Sequence, residues 1–261
     1  MLLAIQEKCL PGHETGARLR FAASAGLDGV EFDAAGLDTR IGDVIHVLKD
    51  HDLRASGVFL GGTHLLHPQM LDRTGAIRAL QLAMTCALDL DGTGVTFFAT
   101  LPETPRLPNL MPYKDSLELE IELLITQLRT TLADFAYATG AMLHLGAQTH
   151  AETHLLHRLD MIATILHHIH DHPHVKMAAD TAVMACEEAD MLQTLANYAG
   201  RLGVIYLRGT GGALPAEGNG VDYAAVLDTL RAAGYDGWLV LAGHGFEDEI
   251  RSAAAYIRAL L

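Results

Sequence analysis

Positive charge is scarce in this chain: 18 Lys and Arg stand against 32 Asp and Glu, a net charge of −14 over 261 residues. There is no cationic excess to neutralise the phosphates of a nucleic acid, so a nucleic-acid partner is not expected. Cysteine is scarce too. Cys9, Cys86 and Cys186 are odd in number, far apart and in no CxxC spacing, which suits reduced thiols buried as small side chains in a cytoplasm. Long apolar runs are missing: no stretch approaches the ~18 residues needed to span a bilayer. The opening Met1-Leu-Leu-Ala-Ile-Gln-Glu-Lys8 has no basic region ahead of its short apolar run. A soluble, unexported, cytoplasmic protein with no membrane partner is therefore expected. Several nucleotide and hydrolase motifs are absent as well. No Gly-Lys-Ser/Thr follows a strand, no glycine cluster leads straight into a helix, and there is no serine nucleophile elbow.

Half of the residues are hydrophobic, enough to bury a large core as a single domain over residues 1–261. Short β-type runs alternate with helical spacing from end to end, the pattern of βα units and a parallel sheet. Eight candidate strands stand out: Leu2 to Ile5, Gly29 to Phe32, Ala55 to Leu60, Gly94 to Phe98, Ala141 to Gly146, Val175 to Ala179, Gly203 to Leu207 and Gly237 to Leu241. Eight such units predict closure into a (β/α)8 TIM barrel.

Helical stripes lie between the strands. Leu117, Ile121, Leu124, Leu128, Leu132, Phe135 and Ala136 share one face, with Asp115 and Glu118 as a plausible cap. A second stripe is Leu155, Leu159, Ile162, Leu166 and Ile169, with histidines and charged residues turned to water. Ala25-Gly-Leu-Asp-Gly-Val-Glu31-Phe and Ala233-Gly-Tyr-Asp-Gly-Trp238-Leu-Val share a device in which the first Gly ends a helix at positive φ. Four links follow strands, at residues 61–69, 100–114, 150–153 and 208–220, and in a barrel such loops form the functional face.

The chain carries Glu152-Thr-His-Leu-Leu, His172-Pro-His-Val-Lys-Met-Ala-Ala-Asp180, Gly218-Asn-Gly-Val-Asp222-Tyr and Gly-Gly-Thr-His64-Leu-Leu-His67-Pro, besides the two Ala-Gly-x-Asp-Gly passages. With these it resembles, over nearly its whole length, the xylose-isomerase-like TIM-barrel superfamily, most closely the sugar phosphate isomerase/epimerase and ketose 3-epimerase branch. The resemblance implies a fifth-strand Glu, a sixth-strand Asp, a seventh-strand His and an eighth-strand Glu that together hold a divalent cation. In this sequence those four places fall on Gly146, Asp180, Tyr206 and Ala242. The His expected three residues after Asp180 is Val183, and Gly212 stands about where a loop Arg belongs. One carboxylate of the four ligands remains, and a lone monodentate carboxylate cannot hold a divalent cation against bulk water. The expectation is therefore no cofactor, no inherited metal centre, and none of the proton exchange that the two lost Glu would perform.

Other groups remain at this mouth. His144 shares strand parity with Gly146 and so points inward. His64, His67, His150 and His244 lie in loops after strands, so a rebuilt zinc-like site near Asp180 is one option. His154, His157 and the histidines from His167 to His174 read as a solvated surface. The other option is a metal-free polar pocket. In it Asp180, Glu152 and Tyr206 are the candidate catalytic groups, and Glu31, His64, His144, His150, Arg208 and His244 bind substrate. Tyr206 with Arg208 would suit a sugar hydroxyl or carboxylate; alternatively Arg208 and Asp180 neutralise one another. The Gly-rich loop after Arg208 reads as a structural turn before it reads as an anion cradle. Two functions remain open. One is a divergent isomerase, epimerase or lyase acting on a small sugar or keto-polyol; the other is a pseudoenzyme that binds a carbohydrate or a partner subunit. A homodimer is possible, as the resemblance implies.

Overall fold

Side-chain alternation along eight strands creates two separate apolar layers, one inside the sheet and one outside it. The computed structural model describes residues 1–91, 93–102 and 104–261. Its strands are β1 (Leu2–Gln6), β2 (Gly29–Asp33), β3 (Arg54–Gly62), β4 (Gly94–Phe98), β5 (Met142–Gly146), β6 (Val175–Asp180), β7 (Leu202–Leu207) and β8 (Trp238–Leu241). Each pairs in parallel with the next, and β8 returns to β1, where Leu2 to Ile5 face Trp238 to Leu241. The result is a closed (β/α)8 barrel, as the sequence predicts. β3 runs two residues past its expected end, because Gly61 and Gly62 pair with Phe97 and Phe98 of β4.

Leu3, Ile5, Phe32, Val95, Leu143, Met177, Ile205 and Leu239 point outward and merge with the helices into one buried cluster. Ala4, Ala178, Val204, Tyr206, Val240 and Ala242 point inward and form a second cluster of their own, with Phe59 and Trp238 packed against it. The two-residue period of a strand produces this division. Among the described residues no helix is long and apolar enough to cross a membrane.

The expected cap at Asp115 is present. Its side chain accepts from the Glu118 amide at 2.8 Å, and Glu118 accepts from the Asp115 amide at 3.0 Å. The helix Ser116–Gln127 continues through a π turn, Leu128–Leu132, into Ala133–Thr139, keeping the predicted stripe against the core from Ile121 to Ala136, while Leu117 at its start is exposed. The second stripe is shorter than predicted. Its helix is Leu159–His168, and Leu155 sits before it in a loop where Leu156 adopts φ +59°, a conformation that breaks the helical path. Gly26 and Gly234 both take φ +76° at helix ends, as the shared device requires.

One polar ring is housed deep inside the sheet. His144 on β5 is buried, and its imidazole fills the space that side chains at two facing glycines would need. A Cβ on Gly94 of β4 would stand 2.0 Å from its Cε1, and one on Gly203 of β7 would stand 2.3 Å from its Cδ2. Burial, with Lys176 as a lesser cause, holds the His144 imidazole down to about 4, so it is neutral at pH 7. Gly94→Ala or Gly203→Ala is therefore expected to destabilise the fold by about 1–3 kcal/mol through overpacking. Urea unfolding would measure the loss, and adding His144→Ala to either variant should recover part of it.

Candidate active site at the carboxyl ends of the strands

The strands' carboxyl ends enclose a cavity of about 380 Å³ whose floor is aromatic. Phe59 of β3 packs edge-on against Phe98 of β4, with ring centroids 5.9 Å apart, and against Tyr206 of β7 at 6.1 Å. Gly146, at the end of β5, lies beneath the Phe98 ring: a Cβ there would stand 2.5 Å from Phe98 Cε1. The place where the sequence lacks a carboxylate is thus occupied by a neighbouring aromatic ring. On β8 the corresponding end, Ala242, adds a methyl group to the same wall.

Charged groups surround this floor. Asp180 ends β6 and caps the following helix, Thr181–Glu187, accepting from the amides of Ala182 at 2.8 Å and Val183 at 3.3 Å. Arg208 holds the same carboxylate from the side, with Nε 3.3 Å from Oδ1 and Nη2 2.9 Å from Oδ2. Burial raises the Asp180 carboxyl above its ordinary range, while Arg208 and the two amides act against that shift. The Arg208 backbone is itself fixed, its amide donating to Thr181 Oγ1 at 2.9 Å and its carbonyl accepting from that hydroxyl at 2.7 Å. Mutual neutralisation of Arg208 and Asp180, one of the two sequence alternatives, is the arrangement found.

Sequence reasoning missed Lys8, Gln6 and Cys9, all of which line the cavity. The Lys8 ammonium lies 4.7 Å from the centre of the Phe59 ring, close enough for a cation–π attraction. These residues end β1 or follow it directly, ahead of the Pro11-Gly12 pair that punctuates the link. Strand parity was the available signal, since Gln6 shares an inward face with Ala4.

The predicted histidines do not converge. His244 lines the cavity and is held there by its amide, which donates to the Gly212 carbonyl at 2.9 Å. His144 is a correction to the expected binding set: parity points it inward, but it is packed below the floor between Gly94 and Gly203. His64 is another, an exposed residue packed edge-on against His67. His150 turns outward, its Nδ1 2.5 Å from Glu187, and its ring stacks on His157 at 3.4 Å. His157 is buried rather than solvated, with Nδ1 3.1 Å from the Gln148 carbonyl, and His154 Nε2 lies 2.6 Å from the buried Glu120. Glu152 stands at the cavity rim, where its carboxylate accepts from the amide and hydroxyl of Thr149, both at 2.9 Å. It also borders a neighbouring surface depression shared with His150, His154 and His157. Among the described residues no three His, Cys, Asp or Glu side chains are grouped so that they could hold a metal ion.

Glu31 is placed differently from the sequence expectation. It is 1% exposed and lies behind the cavity wall. The Tyr206 hydroxyl donates to its Oε1 at 2.5 Å and the Gln6 amide to its Oε2 at 2.9 Å. Burial is the main cause that pushes the Glu31 carboxyl up to about 7, the two hydrogen bonds opposing it. Burial and the adjacent Glu31 push the Tyr206 phenol well above its ordinary range, so it is a neutral hydroxyl. A carboxyl raised from 4.5 to about 7 contributes stability that is complete below pH 4.5 and is lost as the pH rises through 7. Glu31→Gln, neutral at every pH, should accordingly gain on the wild type between those limits. At pH 8 the relative gain is on the order of 3 kcal/mol, measurable as the change in their stability difference between pH 4 and pH 8.

The barrel is shared with several sugar enzymes. The structure superposes on the 3-keto-D-glucoside 4-epimerase of E. coli with a TM-score of 0.89, at 21% identity and 99% coverage of both chains. On the D-psicose 3-epimerase of Clostridium cellulolyticum, crystallised with D-tagatose, the TM-score is 0.87 at 17% identity, covering 100% of this chain and 99% of that one. An AP endonuclease, family 2, from Brucella melitensis gives 0.78 at 18% identity, covering 99% of both chains. At these identities the likeness is one of fold. No curated protein sequence matches the chain. The family described as xylose isomerase-like TIM barrel matches residues 19–260, and the chain belongs to that family.

Proposed function

We propose that the cavity takes a small carbohydrate or keto-polyol, as a sugar isomerase/epimerase-like site that works without the divalent cation of its relatives. The observation that carries this reading is the Phe98 ring lying over Gly146, which replaces an anionic ligand position with an apolar platform. Phe59 and Phe98 offer aromatic surface to the C–H face of a sugar. Around them Gln6, Gln148, Lys8, Arg208 and His244 supply polar groups for hydroxyls, the mixture typical of small-molecule pockets. Epimerases with this fold, a 3-keto-D-glucoside 4-epimerase and a D-psicose 3-epimerase, support the same ligand class. A net charge of −14 argues against the nucleic-acid role suggested by the endonuclease neighbour.

The donor set does not fit a divalent cation. Gly146, Tyr206 and Ala242 offer no anionic oxygen, and both oxygens of Asp180 are engaged by Arg208 or by helix amides. A cation at this point would compete with the guanidinium for the Asp180 carboxylate. Catalysis, on this reading, falls to this chain's own groups. Asp180 and Glu152 act as polar anchors, and Tyr206 is the proton-carrying group nearest the floor. Asp180's double commitment favours a second reading as well, a pseudoenzyme that binds the sugar without turning it over.

Calorimetric titration with a panel of ketoses and polyols, with EDTA or added manganese, tests the proposal. Binding is expected to be indifferent to both additions and to weaken roughly tenfold in Phe59→Ala, the equivalent of ~1.4 kcal/mol. Binding that needs manganese and disappears in Asp180→Ala would overturn the metal-free reading. Proton NMR of the bound ketose in D2O separates the two functions, since only the enzyme exchanges a carbon-bound hydrogen for deuterium.

A further inference from the structure

Both hydrogen-bond partners of Glu31 also line the cavity. Tyr206 and Gln6 form part of its wall while donating to the two oxygens of a carboxyl that does not itself reach the open space. The bonding pattern of a carboxyl group depends on its proton. As a carboxylate it only accepts, so the Tyr206 O–H and the Gln6 N–H are both held as donors to it. At the Tyr206 end only acceptors are then left for the cavity, the remaining lone pairs of the phenol oxygen, while Gln6 keeps its Oε1 and its second N–H. As an acid the same group must donate one bond, and either the Tyr206 oxygen or a rotated Gln6 Oε1 has to accept it. Whichever side chain accepts then turns an O–H or N–H toward the cavity.

We propose that the Glu31 proton sets the hydrogen-bonding polarity of the cavity floor, so that the ionised form takes a sugar hydroxyl and the protonated form takes the carbonyl oxygen of an open-chain keto-sugar. This assignment rests on the carbohydrate reading above and divides that ligand class between two states of one site. Burial brings the carboxyl to about 7, so both states are populated near neutrality. Lys8, after β1, favours the ionised form and Asp33 of β2 the protonated form, acting through space. β3 faces Glu31 with Gly57, where an added Cβ would stand 3.4 Å from Oε1. Thr96 of β4 and Asp180 of β6 act on the Tyr206 end of the pair. No covalent step is involved: one proton is taken from or released to solvent as the ligand binds.

Two four-carbon probes differ in the relevant oxygen: L-erythrulose, a ketose too short to close a stable ring, and threitol, its reduced polyol. Their affinities for the full chain would be measured by calorimetry from pH 5.5 to 8.5. Erythrulose should weaken by about tenfold per pH unit above 7, taking up close to one proton on binding at pH 8. Threitol should show no such loss and should weaken instead below 7. In Glu31→Gln, whose amide accepts one bond and donates another as the acid does, erythrulose affinity should become independent of pH. Proton uptake by the wild type, read from binding heats in two buffers of different ionisation enthalpy, decides the question even if that variant does not fold. Equal pH slopes or equal proton uptake for the two probes, or a wild-type slope retained in Glu31→Gln, would overturn the proposal and leave the carbohydrate reading standing. Failure of both probes to bind at any pH would remove that reading and the proposal with it.

Discussion

A ring can lie across the interior of a closed eight-stranded barrel only where a facing strand gives up its side chain. This volume constraint organises the inner half of the molecule. Gly94 and Gly203 yield to His144 in the lower part of the barrel, and Gly146 yields to Phe98 at its mouth. Interiors are packed near the density of organic crystals, so no such space is left empty for another use. The aromatic floor, the position of Glu31 behind it and the shape of the cavity above it follow from where these rings are accommodated.

The same constraint shapes the electrostatics. A barrel mouth assembled around three converging acidic groups needs a cation to hold them together. At this mouth Asp180 pairs with the guanidinium of Arg208, which follows β7, while Glu152 stands apart at the rim, bonded to Thr149. The second acidic group near the centre, Glu31, is managed by burial and two neutral donors, at the cost of an ionisation shifted into the neutral range. Lys8 sits over an aromatic face rather than beside a carboxylate. Positive and negative charge are therefore spread over the wall instead of being focused on one point.

Much of the fold was legible because a strand's two-residue period survives in any sequence that must bury both faces of a parallel sheet. Strand parity correctly turned Tyr206, Asp180 and His144 inward. It carries no information about depth, which is why His144 was read as part of the mouth and is found beneath the floor. Loop histidines were legible as neighbours of the rim, but not in their directions: His150 is drawn outward by Glu187, a carboxylate distant in sequence, while His154, read as solvated, bonds the buried Glu120. Lys8 and Gln6 escaped notice because they sit at the strand's very end, before the Pro11-Gly12 turn, where neither spacing nor composition sets them apart. That Phe98 would fill the space above Gly146 required knowing the pairing of β4 with β5, a three-dimensional fact.

The ion pair between Arg208 and Asp180 has a consequence for selectivity. A ligand carboxylate or phosphate that took the two nitrogens now aligned with Asp180 would leave that half-buried acid without its cation. An uncharged ligand accepts from the free edge of Arg208 without disturbing that arrangement. On the carbohydrate reading, the pairing thereby favours neutral hydroxyls over acids at Arg208.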